Sequence, residues 1–196
     1  MSEPFFTPWI GRNYKAKKTL IISESTYNWL DDEGQVVTPQ SSHAQGSIEW
    51  NIENFGKNRY FTSLNRTLCR TRMPTAEQIR RAWSEYAYTI FVQEPVGQGA
   101  GKRPASENWQ KAGPHFLSLL EKIHPLKVIV TGRDMWGRMP EFYARLLDDL
   151  QAYRLSNGAL VWCLELPHPA NRREGFKWEK IGESVHFFTS TNFPTS

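Results

Sequence analysis

Residues 20–28, LIISESTYN, join a short apolar run to a cluster of small and polar side chains. Consecutive aliphatic residues of this kind are typical of a strand that is buried on both faces. In open α/β sheets, ligands bind beyond the carboxyl ends of the strands. The stretch therefore predicts a strand over residues 18–23 that ends at a ligand site, where Glu24 and the polar residues after it would lie.

Three more apolar runs predict strands at residues 87–92, 127–131 and 159–166. Helical patterns separate each strand from the next, and one more follows the last strand. This alternation favours a parallel sheet with helices on both faces. The sequence therefore predicts an α/β fold, a three-layer α/β/α sandwich with a central four-stranded, mainly parallel sheet. With 196 residues, the chain is expected to form one domain over 1–196, with residues 1–17 as an N-terminal arm.

Four helices are predicted between and after these strands from caps and apolar stripes. Thr75 and Gln78 form a capping-box pattern at the start of the first helix. Ser106 is expected to cap the second helix, and Gly113 with Pro114 should kink or interrupt it. The third helix is predicted after Pro140, with an apolar stripe of Phe142, Leu146, Leu147 and Leu150. The fourth helix is predicted from the stripe Trp178, Ile181, Val185 and Phe188.

The composition argues against a membrane protein, a secreted protein and a four-cysteine metalloprotein. The formal net charge is +4 at pH 7, from 24 Lys and Arg against 20 Asp and Glu. No apolar run approaches the ~20 residues of a membrane-spanning helix, and the N-terminus lacks a signal-peptide pattern. Cys69 and Cys163 are too few for a four-cysteine metal or iron–sulfur site and suit a reducing compartment. We therefore expect a cytoplasmic protein with no membrane contact, no metal or other cofactor and no obligate protein partner.

Polar and basic residues follow each predicted strand, at the edge where parallel strands bring their ends together. They are Gln93, Glu94, Lys102 and Arg103 after the second strand, Arg133 and Arg138 after the third, and His168, Asn171, Arg172 and Arg173 after the fourth. A basic rim of this kind fits the phosphate backbone of DNA, with salt-dependent binding. Because 20 acidic residues accompany the basic ones, an ordinary charged surface is the alternative interpretation.

Three segments, in order along the chain, resemble motifs of the uracil-DNA glycosylase superfamily. SESTYN at 23–28 stands where that superfamily has its water-activating motif, GQDPYH in one branch and GEAPG in another. VIVTGRDMW at 128–136 is similar to the family's strand that ends in a glycine before a helix, and HPANRR at 168–173 is similar to its HPS motif. The resemblance spans roughly residues 18–190 and implies a uracil-DNA glycosylase-like fold.

The resemblance also implies an activity, the hydrolysis of the N-glycosidic bond of a nucleotide rotated out of DNA. Glu24 would stabilise an oxocarbenium-like transition state and orient or activate water, and Asn28 would help to hold water or sugar. His168 would donate a hydrogen bond to O2 of the departing base. The base-binding residues would be Ser25, Tyr27 beside C5, Phe91 stacked on the ring and Gln93 at the hydrogen-bonding edge. The DNA-binding residues would be Asn171, Arg172, Arg173, Arg133, Lys102 and Arg103.

Departures from the family pattern bear on the substrate. Ser25 stands where one branch has Asp, so the carboxylate must come from Glu24, as in the GEAPG branch. Gln93 takes the place of the asparagine that reads uracil, and the four cysteines of the GEAPG branch's cluster are missing. Because Glu24 or Gln93 could accept a hydrogen bond from an exocyclic amino group, we expect a uracil-type or modified pyrimidine, including a modified cytosine. Excision of such a base would serve defence against viral DNA.

Two other functions fit parts of the sequence. A serine hydrolase would use Ser25 or Ser23 with His168 and an acid such as Asp148, although the Gly-x-Ser-x-Gly elbow is missing. A non-catalytic nucleic-acid-binding module would keep the fold without the activity. Phe91 also has an ordinary interpretation as a core residue.

Overall fold

The structure is a computed structural model that describes residues 5–99, 101–171, 173 and 175–195. The strands of its main sheet are β1 (Trp9–Ile10), β2 (Thr19–Ser23), β5 (Tyr86–Ile90), β6 (Lys127–Thr131), β7 (Ala144–Leu147), β8 (Leu150–Arg154) and β9 (Leu160–Leu166). Within the described residues these seven strands lie in the order β1-β5-β2-β6-β9-β8-β7. A separate hairpin is formed by β3 (Trp29–Leu30) and β4 (Val36–Val37).

Helices cover both faces of the sheet. They are α1 (Tyr14–Lys17), α2 (His43–Glu53), α3 (Arg59–Cys69), α4 (Ala76–Trp83), α5 (Ser106–Ile123), α6 (Arg133–Trp136) and α7 (Trp178–Ser190). One apolar cluster joins the sheet to α2, α3, α4 and α7, and the other joins it to α1, α5 and α6. Ile21 lies in the first cluster, whereas Leu20 and Ile22 lie in the second, because successive side chains of a strand point to opposite faces. The predicted three-layer α/β arrangement is therefore confirmed.

The four strands predicted from sequence form the centre of the sheet, and all three of their pairings are parallel. Ile21 of β2 lies between Tyr88 of β5 and Ile129 of β6. All five residues of β2 are buried, as expected for a strand that has neighbours on both sides and helices on both faces. The prediction of four strands was incomplete, since antiparallel β1, β8 and β7 extend the sheet at its edges.

The helix predicted after Pro140 is wrong, because this segment is the hairpin of β7 and β8. Leu146 and Leu147 are exposed, so they do not belong to an apolar helical stripe. Leu150 is buried in one core cluster and Tyr153 in the other, as the alternation of a central strand requires. Pairing of β8 with β9 over five residue pairs decides the conformation, and this long-range contact overrides the local spacing.

Other local predictions have mixed outcomes. The capping box at Thr75 is present, with its hydroxyl accepting from the Gln78 amide nitrogen. Of the two effects predicted for Gly113 and Pro114, a kink or an interruption, the interruption is wrong, since α5 continues through Pro114. Residues 29–63, whose pattern suggests only a short helix around 48–55, contain the β3–β4 hairpin, α2 and the start of α3. None of the described helices is long and apolar enough to cross a membrane.

Candidate active site at the carboxyl edge of the sheet

The loops that follow β2, β5, β6 and β9 meet at the carboxyl edge of the sheet. Glu24 directly follows β2, and His168 lies two residues after the end of β9. Both strands pair with β6, one on each side. Because neighbouring strands are 4.7–4.9 Å apart, the backbones that lead to these two residues are separated by about 10 Å at the sheet edge. The topology therefore brings the predicted acid and imidazole to the same edge.

The segment 24–28, called the site loop below, is fixed by backbone hydrogen bonds to the chain after β5. The Val92 amide donates to the Glu24 carbonyl at 2.9 Å, and the Val96 amide donates to the Thr26 carbonyl at 2.9 Å. The Asn28 amide in turn donates to the Gly97 carbonyl at 2.8 Å. The site loop thus continues the parallel pairing of β2 and β5 beyond the sheet, which holds its side chains in place.

The Glu24 side chain is buried and forms an ion pair with Arg103. Arg103 Nη1 lies 2.8 Å from Glu24 Oε1, and its other terminal nitrogen binds the Asp134 carboxylate. Arg103 comes from the glycine-containing loop after β5, and Asp134 lies on α6 after β6. One guanidinium therefore joins the loops that follow three adjacent strands. Side-chain exposure differs sharply, with Glu24 at 7% and Arg103 at 57%.

His168 packs against the loop after β6 and is held by its own turn. A Cβ added to Gly132 would lie 3.5 Å from His168 Cδ2, so the glycine backbone and the imidazole are in close contact. The Ala170 amide donates to His168 Nδ1 at 3.2 Å, and the Asn171 amide donates to the His168 carbonyl at 3.0 Å. Because Nδ1 accepts a hydrogen bond, the neutral ring carries its proton on Nε2. In the neutral ring, Nε2–H is therefore a hydrogen-bond donor.

Gly132→Ala is expected to lower the free energy of unfolding by about 1–3 kcal/mol, because Gly132 has a φ of +140° that L residues rarely adopt. Gly137→Ala is the matched control. Gly132 directly precedes α6 and Gly137 directly follows it, but Gly137 has an ordinary φ of −65°. The Gly137 substitution should therefore lower the free energy of unfolding by less than about 1 kcal/mol. Urea denaturation measures both changes. Equal effects at the two glycines would show that Gly132 is not strained here.

The exposed part of the site loop carries three predicted site residues. Tyr27 is 36% exposed and Ser25 is half-buried. The Asn28 side-chain oxygen is buried, and no described residue donates a hydrogen bond to it. Buried polar atoms almost always have a partner, so this oxygen is suited to a water molecule or a ligand.

Phe91 and Gln93 are engaged inside the protein. Phe91 is 2% exposed and packs against Trp109 and Phe116 in the core. The Gln93 side-chain oxygen accepts from the Phe6 amide at 2.8 Å, and its side-chain nitrogen donates to the Ile90 carbonyl. In this structure Gln93 anchors the N-terminal arm and Phe91 is a core residue. The structure therefore does not bring either side chain to the exposed part of the site.

The basic residues of the predicted rim lie among acidic ones. Arg103 pairs with Glu24 and Asp134, and Arg133 Nε lies 3.4 Å from Glu165 Oε1. Lys102 and Arg173 are exposed, and Asn171 accepts the Arg173 amide in the turn after His168. Arg172 lies outside the described residues. The described rim therefore has alternating charges rather than a continuous positive surface.

Sequence reasoning missed His43 and Tyr60, which contact the site from α2 and α3. His43 Nε2 lies 3.0 Å from the Thr26 hydroxyl, and its ring stacks on Trp29 at 5.6 Å. The Tyr60 ring lies 5.5 Å from the His168 ring. Both residues fall in the segment that showed no clear sequence pattern. Only the long-range packing of α2 and α3 reveals their place.

The protein is expected to lose stability as the pH falls below about 6.5, because burial lowers the pKa of His43 from its ordinary value of 6.5. The unfolded chain then binds a proton that the folded chain resists, so the free energy of unfolding decreases with acid. His43→Gln should make the free energy of unfolding depend less on pH between pH 7 and 5. The control is His186→Gln, since the His186 side chain is exposed. An unchanged pH slope in the His43 variant, measured by urea denaturation, would contradict the assignment.

A cavity of about 640 Å³ lies away from this site, beside the N-terminal arm. Its lining includes Trp9, Glu49 and Lys122 and none of the predicted site residues. Among the described residues, no three His, Cys, Asp or Glu side chains are grouped as a metal ion would require.

The fold and this edge define an α/β protein with a mixed, mostly parallel sheet and a carboxylate, an imidazole and an amide gathered beyond its central strands. No protein-family model matches the chain, and no curated protein is significantly similar to it.

Proposed function

We propose that this protein is a DNA glycosylase of the uracil-DNA glycosylase type, which rotates a uracil-type or modified pyrimidine out of DNA and hydrolyses its N-glycosidic bond. The observation that carries the proposal is the placement of Glu24 and His168 on the two loops that flank the loop after β6. Contacts through Arg103, Asp134 and Gly132 connect them. An acid and a hydrogen-bond donor on either side of one nucleotide are what this reaction needs.

Glu24 acts on the sugar side of the bond. As the bond between C1′ and the base nitrogen breaks, positive charge develops on the sugar, and a carboxylate beside it stabilises that charge. A water molecule then adds its oxygen to C1′, and the proton that it loses goes to the departing base anion, so the products are an abasic sugar and a neutral free base. The buried Asn28 side-chain oxygen is suited to hold this water through one of its hydrogens.

His168 acts on the base side. The bonding electrons leave with the base, and negative charge develops on its O2. Because the Ala170 amide donates to His168 Nδ1, the neutral ring carries its proton on Nε2, and in this mechanism that proton stabilises the oxygen. Tyr27 is exposed on the site loop. In this mechanism it lies beside the ring of the base.

The serine hydrolase alternative has less support. A triad histidine must donate its Nδ1 proton to an acid, whereas His168 Nδ1 accepts from Ala170. Ser23 is buried and bonded to the Tyr88 hydroxyl at 2.8 Å. A non-catalytic DNA-binding module has one specific observation in its favour. The Arg103 guanidinium is paired with Glu24 and neutralises the carboxylate that the reaction uses. In the proposed glycosylase, Arg103 leaves Glu24 for a DNA phosphate when the nucleotide enters.

The experiment is to incubate the full chain with several DNAs and detect free bases by mass spectrometry. The panel contains duplexes with uracil, 5-hydroxymethylcytosine or a glucosylated hydroxymethylcytosine, and matched unmodified duplexes. A glycosylase releases a free pyrimidine and leaves a site that alkali cleaves. Binding to DNA with no release from any member would favour the non-catalytic module, and ester hydrolysis lost in Ser25→Ala would favour the hydrolase.

A further inference from the structure

Tyr60 lies beneath His168, on the first turn of α3. The start of this helix is fixed by Asn58, whose side-chain oxygen accepts from the Phe61 amide at 3.2 Å. The Tyr60 and His168 ring centroids are 5.5 Å apart, with the rings inclined at 54°. The imidazole is therefore bounded by the Tyr60 ring and by the Gly132 backbone, and its Nδ1 is held by Ala170.

The Tyr60 hydroxyl is anchored in the sheet by hydrogen bonds whose direction can be assigned. The Thr131 hydroxyl donates to the Ile22 carbonyl at 2.7 Å, so its only proton is committed. The Tyr60 hydroxyl, 2.8 Å from Thr131 Oγ1, must therefore be the donor in that pair. Tyr60 is thus connected to the backbone of the central strand β2 through one side chain.

Two more hydroxyls lie in the same part of the sheet. The Ser23 and Tyr88 hydroxyls are 2.8 Å apart, and either one can be the donor. Burial raises the pKa of Tyr60 and Tyr88 well above their usual value, so both phenols stay neutral across the physiological range. The contact of the Tyr60 hydroxyl with Thr131 is therefore a fixed anchor rather than a path that exchanges protons with solvent.

We propose that Tyr60 is a positioning residue, which holds the His168 imidazole in the orientation that points Nε2 toward the base. This inference rests on the proposed function, in which His168 donates to the leaving base. Its hydroxyl is directed into the sheet and its ring contacts the imidazole, so Tyr60 acts through His168 in this proposal. A displacement of about 1 Å in a catalytic group can lower a rate about 100-fold.

The test measures single-turnover base release by Tyr60→Leu, which removes the aromatic contact and the hydroxyl. The rate is expected to fall about 10- to 100-fold, with the affinity for DNA unchanged within about twofold. Tyr60→Phe keeps the ring and should show an intermediate loss. Phe188→Leu on α7 is the matched control, since Phe188 is buried in the same apolar cluster but packs its ring against Phe193, so it should alter stability without altering the rate.

A double-mutant cycle separates positioning from a general structural effect. If Tyr60 acts through His168, Tyr60→Leu should cause no further loss in a His168→Ala background. An equal loss in both backgrounds would overturn the inference. So would a rate in Tyr60→Leu equal to that of the wild type.

NMR of the DNA-free protein tests the contact between Tyr60 and His168 without a measurement of base release. The His168 ring resonances should shift strongly in Tyr60→Leu and less in Tyr60→Phe. If no DNA releases a base but these shifts occur, the proposed function fails and the positioning contact stands. If bases are released but the His168 resonances do not shift in Tyr60→Leu, the inference fails and the proposed function stands.

Discussion

Glu24→Gln is expected to reduce the single-turnover rate of base release by about 10²- to 10⁴-fold. The substitution keeps the size of the side chain and an oxygen that can accept from Arg103, but it removes the negative charge that faces the sugar. Because Glu24 is buried, water screens that charge little, and its removal should act strongly on the transition state. The affinity for DNA should change little, since Glu24 does not contribute positive charge.

Asp134→Asn is the matched control for Glu24→Gln. Asp134 binds the same Arg103 guanidinium, but its side chain is 55% exposed. Its replacement should leave the rate within a few-fold of wild type, because an exposed charge acts weakly on the reacting atoms. Equal losses in both variants would show that the Arg103 pairing, rather than the Glu24 carboxylate, supports catalysis. An unchanged rate in Glu24→Gln would remove Glu24 from the mechanism.

Trp83→Ala is expected to lower the free energy of unfolding by about 3–5 kcal/mol. Trp83 is fully buried at the end of α4 and packs against Phe61 and Tyr88. Its indole nitrogen donates to the Asn65 side-chain oxygen at 2.8 Å, so the substitution also removes a buried hydrogen bond.

Trp50→Ala provides the comparison for Trp83→Ala. Trp50 lies on α2 and is 48% exposed, so its removal creates no enclosed cavity. We expect a loss below about 1 kcal/mol. Urea denaturation of both variants measures the difference. Similar losses would contradict the placement of Trp83 at the centre of the apolar cluster.

The central strands could be predicted from the sequence because burial on both faces gives them continuous apolar runs. β2 and β6 show this pattern most clearly, and their ends also place the site loop and Gly132. β7 and β8 could not be predicted, since their apolar residues also fit a helix. Pairing with β9 decides between the two conformations, and a local pattern does not contain that contact.

The sequence correctly placed two of the predicted site residues at the sheet edge and misplaced others. Glu24 and His168 lie at the sheet edge as expected. Phe91 and Gln93 do not reach it, because β5 ends at Ile90 and the following residues turn into the core and toward the N-terminal arm. Tyr60 was missed for a different reason. Its position beside His168 depends on the packing of α3 against residues far away in the chain, which no local pattern records.

The sequence also could not show which basic residues at the sheet edge are paired with carboxylates. Counting Lys and Arg after each strand predicted a positive rim, yet Arg103 and Arg133 are paired with carboxylates at the same edge. If the edge binds DNA, phosphates must compete for these guanidinium groups. Binding should then fall steeply with salt, because each contact replaces counterions.

The most direct measurement is a structure of the protein bound to DNA that contains the 2′-fluoro analogue of the pyrimidine it releases, since the fluorine slows cleavage of the N-glycosidic bond. We predict a base rotated out of the duplex, with its O2 about 3 Å from His168 Nε2 and its C1′ facing the Glu24 carboxylate. A base that remains stacked, or DNA that lies against another face with Glu24 and His168 uncontacted, would contradict the proposed site.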